Sequence, residues 1–343
     1  MLTDEQAAKD IWDRQQAHAL AGAYTDKAQA TGRQRSQRLG DRVIEQFTRE
    51  DLLSVFQEPD FQALLTKAQI GAAQTDEETD YDVLANMLAD RARNGNIRSR
   101  RIGLDRAIEV ADKVDLLALK VLTCLFLYVQ IRPIGTSVFG SIAAHDQTYG
   151  RVMDGEPFPD GAELMDHLDL LNLGRVNTLG SYKKFDDYWL PSVSGWYALG
   201  VERSDPNLQD AWEGFARRGC DLPADVPLIS HELDESRLRL AYANPTLFRR
   251  HLESLDRFED RQIDALLNFA ASTWGLHETG HLPYKSALSD HIKQLPTLGP
   301  FRAWLEGLSG HLTLTAAGRT LARAYAEHCG VSDSVQDWTL LKH

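Results

Sequence analysis

The stretch GLHETGHLPY, residues 275–284, contains the pattern H-E-x-x-H as His277, Glu278, Thr279, Gly280 and His281. On a helix this spacing sets two imidazoles one turn apart on one face, with a carboxylate beside them. That is the core of a zinc peptidase: His277 and His281 would ligate the metal and Glu278 would act as general base on the bound water. Glu306, in FRAWLEGLSG, is the available third ligand, because the spacing of a three-histidine site falls on Ala287. Local chemistry opposes this reading. Pro283 would clash with the carbonyl of Thr279 in a continuing helix, and Gly275 and Gly280 weaken any helix through the motif. The preferred expectation is a helix C-terminus and loop, with histidines on the surface or capping carbonyls and no cofactor. A zinc metallopeptidase is the alternative.

Two further groups could do chemistry. Arg91, Arg93, Arg98, Arg100 and Arg101 surround an Asn-Gly-Asn turn, and Arg98, Arg100 and Arg101 could seat a phosphate or a nucleic-acid backbone. The competing expectation is a solvated helix terminus balanced by the acidic run 76–82. Phe185, Tyr188, Trp189, Trp196 and Tyr197 could stack on bases, but aromatics at this density more often form a packed core. No GxxxxGK[ST], GxGxxG or GxSxG pattern occurs, so nucleotide hydrolase, Rossmann and serine-nucleophile chemistries have no positive support.

The elements that must position these groups are helical. With 343 residues, 43% hydrophobic and 25% charged, the composition is that of a soluble globular protein. A net charge of −13 argues against non-specific nucleic-acid binding. Cys124, Cys220 and Cys329 are odd in number and widely spaced, with no CxxC pair, which argues against a disulfide framework and a cysteine zinc site. The acidic start lacks the basic and apolar regions of a secretory signal. The most apolar run, LLALKVLTCLFLYVQI over 116–131, is short for a membrane span and carries a lysine, so it reads as a buried helix. A cytoplasmic protein without membrane contact is expected.

Along the chain, residues 1–41 read as an N-terminal helical extension, whose large apolar side chains from residue 3 up to Leu39 are Ile11, Trp12, Leu20 and Tyr24. It is too poor in apolar residues to form a core alone, but could dock on another subunit. Residues 42–202 read as a helical domain broken at Pro59, with Thr75 or Asp76 opening one helix and Arg91 and Arg93 closing it. The domain continues into a small aromatic α/β wing region with a possible hairpin. Residues 203–343 read as a C-terminal helical domain. It ends in a winged-helix-like element, the strand HLTLT followed by the helix AAGRTLARAYAEH.

The pairing of ETDYDVLANMLADRARNGNIRSRRIGLDRAIEVADKV with the closing LTLTAAGRTLARAYAEHCG resembles a bacterial group loosely related to Abi-alpha-like proteins. VSGWYALGVE, ending at residue 202, fits a Y-x-x-x-G element of the same group. The resemblance implies a helical fold and a place in antiviral defence by abortive infection, and it supplies no catalytic residues. The combined expectation is a mainly α protein, a helical bundle with winged-helix-like elements and minor β structure. Its expected role is that of a non-enzymatic interaction or sensor protein with a protein partner or self-association. A winged-helix nucleic-acid-binding regulator is a further alternative, although LPTLGPFRAWLEGLSG offers few side chains for a recognition helix.

Overall fold

Leu39, Val43 and Phe47 recur at intervals of four and are buried along one side of α1 (Asp4–Arg49), a single helix of 46 residues. The computed structural model describes residues 4–94, 98–133, 135–331 and 338–340, and side chains over 25–94, 101–131 and 135–331. The chain is mainly α-helical and divides into two compact units.

The first unit comprises Met1–Asp115, Leu170–Leu173 and Leu314–His328. After α1 come a 3-10 turn (Leu53–Gln57), α2 (Pro59–Gln74), α3 (Glu78–Asn94), α4 (Arg98–Val110) and a 3-10 turn (Ala111–Lys113). Pro59 occupies the first turn of α2, where its missing N–H has no intrahelical role. Phe47, Phe56 and Phe61 close a three-ring cluster with centroids 5.5–5.8 Å apart, fastening α1 to α2. A polar rail joins α1 to the start of α3. Arg35 pairs with Asp76 at 3.4 Å, Arg38 with Glu78 at 2.5 Å, and Arg42 with Glu78 and Asp82. Gln46 meets Asn86 at 3.1 Å. Each of these contacts is worth little, but along α3 the partners Glu78, Asp82 and Asn86 recur every four residues, matching the 3–4 residue spacing of Arg38, Arg42 and Gln46 on α1, and this fixes the register.

The second unit comprises Leu116–Asp169, Gly174–Thr313 and Cys329–His343. Its centre is α5 (Leu116–Gln130), buried at every position from Ala118 to Tyr128. The lysine within that run, Lys120, donates to the Met153 carbonyl at 3.3 Å, so a buried ammonium is satisfied by backbone. The short strand β1 (Ile131–Pro133) is followed by α6 (Val138–Met153), α7 (Gly161–Leu170), β2 (Gly174–Asn177), α8 (Phe185–Tyr188), a 3-10 segment (Leu190–Tyr197) and β3 (Val201–Glu202). Then come α9 (Leu208–Ala216), β4 (Leu228–Ser230), β5 (Arg237–Leu240), α10 (Pro245–Ser254), α11 (Asp260–Trp274), α12 (Leu282–Lys293) and α13 (Leu298–Gly307). β6 (His311–Leu314), α14 (Ala316–His328) and β7 (Trp338–Leu340) complete the order. Strands β3, β5 and β4 form an antiparallel sheet in that order, with Val201 opposite Leu238 and Ile229 opposite Arg239. β1 pairs with β7, and β2 with β6.

Several expectations meet a different arrangement. The N-terminal segment is one continuous helix, and the boundary expected at 41/42 falls inside it. The aromatic stretch forms no hairpin of its own: β2 pairs with β6 and β3 with β5. The strand of the closing element likewise pairs with β2, while its helix α14 packs against α3 and α4 in the first unit. Strand pairing between distant segments is invisible to local patterning, because each partner is only two to four residues long. No helix among the described residues is long and apolar enough to cross a membrane.

Candidate functional site

The H-E-x-x-H residues lie in the turn between α11 and α12. α11 ends at Gly275, which adopts φ +68° and returns its N–H to the Ala270 carbonyl. α12 begins at Leu282 with Pro283 in its first turn. Between them the chain coils tightly. His277 Nδ1 accepts from Gly280 N at 3.2 Å and meets Thr279 Oγ1 at 2.8 Å, and His281 N donates to the Tyr197 carbonyl at 2.8 Å. Gly280 has φ +57°. The helical geometry that a zinc peptidase needs is therefore not formed, and Pro283 together with two left-handed glycines is the physical reason. Glu278 is exposed. Glu306, the expected third ligand, instead accepts from Phe185 N at 3.0 Å and from Arg302 Nε at 3.3 Å. Among the described residues no group of three His, Cys, Asp or Glu side chains is placed to hold a metal.

The arginine cluster is paired where it is described. Arg91, 3% exposed, lies between Asp60 and Asp105, Arg93 binds Glu50 at 2.7 Å, and Arg101 binds Asp60 at 2.9 Å. The acids that balance it are Asp60 of α2, Asp105 of α4 and Glu50 just after α1, whereas Asp76, Glu78 and Asp82 of the run 76–82 serve arginines of α1. The side chains of Arg98 and Arg100 lie outside the described residues. The aromatic stretch is core: Phe185, Trp189, Trp196 and Tyr197 are fully buried, and Trp189 packs on Phe185 at 5.1 Å.

The residues that the structure does bring together lie on and around the β4–β5 turn, residues 231–236. His231 is fully buried, and its Nε2 lies 2.8 Å from the Ala198 carbonyl while Nδ1 accepts from Leu233 N. A carbonyl can only accept, so Nε2 carries the proton and the ring is neutral. Burial holds its pKa below the ordinary histidine value. One residue on, the Glu232 carboxylate accepts from Val138 N at 2.9 Å and Phe139 N at 3.0 Å, at the start of α6. Asp234 accepts from Ser236 Oγ at 2.6 Å and from the Tyr284 hydroxyl at 2.5 Å, and these bonds hold its carboxyl down to about 2. Tyr284 is pushed up to about 12 by burial and by Asp234. Its ring meets His231 at 4.8 Å and His281 at 4.4 Å, joining the α11–α12 turn to the hairpin.

Behind the turn sits Arg239, fully buried, donating to the Thr136 carbonyl and, at 3.1 Å, to the Leu240 carbonyl. Burial pulls its pKa down to about 10, while Glu232 pulls it up. Three side chains within four residues thus tether one turn to three elements. Such a set can bind and hold charge, and it contains no activated nucleophile. None of His231, Glu232, Asp234 or Arg239 stands out in the sequence. In RLRL the arginines alternate with leucines, which predicts a solvated face for both, and only packing with the residue 136 loop buries Arg239.

A family model described as ":-like" matches residues 16–207. No curated protein and no solved structure matches the chain significantly.

Proposed function

The chain belongs to the family described as ":-like", whose model covers more than half of it, and on that premise we propose a non-enzymatic interaction or sensor protein with α1 as its partner-binding arm. The observation that carries this reading is the extent of α1. At about 1.5 Å per residue its 46 residues run roughly 69 Å. Side chains 25–31 are all exposed, and beyond them Arg35 and Ser36 carry an ion pair and a hydrogen bond to the rest of the first unit. Ahead of them the helix carries Ile11, Trp12, Leu20 and Tyr24. An ordered helix presented in this way can bind with little further entropic cost, because its backbone is already fixed.

The partner under this reading is a second copy of the chain or another protein, in a cytoplasm suited to buried thiols such as Cys124 and Cys220. The resemblance to Abi-alpha-like proteins extends the reading to abortive infection. Sedimentation of the full chain beside a Trp12→Glu, Leu20→Glu variant tests the arm. An oligomer that the variant reduces to a monomer is the expected result. A monomer in both samples, together with no cross-linked partner in the native cells, removes the reading. Phage plating on cells with and without the gene tests the defence role, and equal plating removes that part alone.

A further inference from the structure

Asp26, Ala30, Arg33, Gln37, Gly40 and Ile44 follow one another along α1 at intervals of four and three, so they share one face of the helix. Leu39, Val43 and Phe47, buried in the first unit, lie roughly a third of a turn away around the axis. Asp26, Ala30, Arg33 and Gln37 are exposed, and Ile44 is 52% exposed although its neighbour Val43 is buried. A Cβ on Gly40 would meet nothing within 4 Å. This face is therefore open from residue 26 to residue 44, alongside the packed one.

Its two charges differ from the arginines beside them. Arg35, Arg38 and Arg42 are paired with Asp76, Glu78 and Asp82 of the same unit. Asp26 and Arg33 form no ion pair among the described residues, and Arg33 Nε reaches a carbonyl of its own helix, that of Gln29, at 3.4 Å. The two stand seven residues apart, two turns along the same face. A helix with opposite charges placed in this way is complementary to a reversed copy of itself. A two-fold axis crossing between residues 29 and 30 sets Asp26 against the partner's Arg33 and Arg33 against the partner's Asp26. Ala30 then lies at the crossing, where a small side chain lets the backbones approach. Ile44 falls opposite residue 15, one turn from the position of Trp12. A parallel pair would instead set aspartate beside aspartate and arginine beside arginine, which is repulsive.

We propose that this face joins two copies of the chain through antiparallel α1 helices, with reciprocal Asp26–Arg33 ion pairs setting direction and register. The inference rests on the reading of α1 as a partner-binding arm and commits that arm to a second copy. Residues 15–44 of each helix take part, about 45 Å of helix from each copy. The charges contribute orientation more than affinity, as polar groups within helix pairs do.

The test is sedimentation equilibrium of the full chain, with Asp26→Arg, Arg33→Asp and the combination of the two. Each single reversal faces like charges at two symmetric places, and self-association about tenfold weaker than in the parent is expected. The combination restores both pairs in the antiparallel arrangement, so its association should return to within about threefold of the parent. Both positions are exposed, and far-UV circular dichroism of the variants should match that of the parent. A parent dimer indifferent to the single reversals overturns this face and leaves the arm reading standing, as does a loss that the combination does not restore. A monomeric parent overturns the inference as well, and the arm reading then stands or falls on a cross-linked partner of another kind.

Discussion

Arg91 Nη2 lies 3.1 Å from Asp60 Oδ2 while its Nε reaches Asp105 at 3.4 Å, so one buried guanidinium ties α3 to both α2 and α4. Arg101 shares the same Asp60 oxygen at 2.9 Å. The described part of this arginine-rich turn is therefore a structural joint between three helices. Removing one partner of a buried pair is strongly destabilising, but Asp60 and Asp105 are half exposed and recover solvation. Arg91→Ala is expected to lower stability by about 2–3 kcal/mol, and Arg101→Ala by less than about 1 kcal/mol. Urea unfolding of the two variants checks the ranking, and equal small effects would remove the joint.

Gly318 and Gly40 are both helical glycines with opposite expected responses to alanine. A Cβ on Gly318 would run into the Leu173 carbonyl, which α14 approaches closely, whereas a Cβ on Gly40 meets nothing within 4 Å. Overpacking against backbone costs on the order of 1–3 kcal/mol, while filling an open helical glycine gains up to about 1 kcal/mol. Gly318→Ala should lower the unfolding midpoint and Gly40→Ala should raise it. Thermal melts of the two single variants decide the matter, and a rise for Gly318→Ala contradicts the close approach.

The same glycine shows where sequence reading ends. The pattern G-R-x-L at the start of α14 was legible as the opening of a helix, as were α3 with its acidic start and basic end and the apolar α5. Those signals are local, set by caps, dipole and periodicity. The reason for glycine at 318 is a contact with Leu173, 145 positions away, and that distance leaves no trace in the pattern around it. The candidate site has the same property. Glu232 and Arg239 reach residues 136–139, about a hundred positions earlier, so their roles come from the fold alone. The one motif that did announce chemistry, H-E-x-x-H, was legible as a turn from Pro283 and its glycines.

Protonation of His231 should destabilise the protein below neutral pH. Its folded pKa is depressed, chiefly by burial, with the Ala198 carbonyl acting in the opposite direction. The unfolded ring, with a pKa of about 6.5, then takes up a proton first as pH falls. Stability from this group is complete above about pH 6.5 and is lost as pH drops from there toward the lower folded value. His251, also depressed by burial, acts in the same direction and window. Asp234 contributes only in a separate, more acidic window, between its ordinary 3.8 and about 2. The urea midpoint should therefore hold steady above neutrality and fall as pH drops below about 6.5. His231→Gln should be less stable at about pH 8 but show a shallower fall. An unchanged slope in that variant would assign the dependence elsewhere.

Gly280→Ala separates the two readings of H-E-x-x-H by the sign of its effect. If His277 to His281 formed a turn of helix around a metal, alanine at the fourth position would favour that helix by up to about 1 kcal/mol. In the turn described here Gly280 has φ +57°, a conformation that costs an L-residue about 1–2 kcal/mol, and a Cβ would overlap the Tyr197 ring. Alanine is therefore expected to lower stability by about 2–5 kcal/mol, the sum of backbone strain and overpacking. Glu278→Ala, at an exposed position of the same turn, should stay within about 0.5 kcal/mol of the parent. Denaturation with and without added zinc completes the comparison. A midpoint that zinc does not move, with Gly280→Ala strongly destabilised, fits a turn packed on Tyr197. A midpoint raised by zinc and insensitive to Gly280→Ala would restore the metal reading, because binding stabilises whichever state holds the ion.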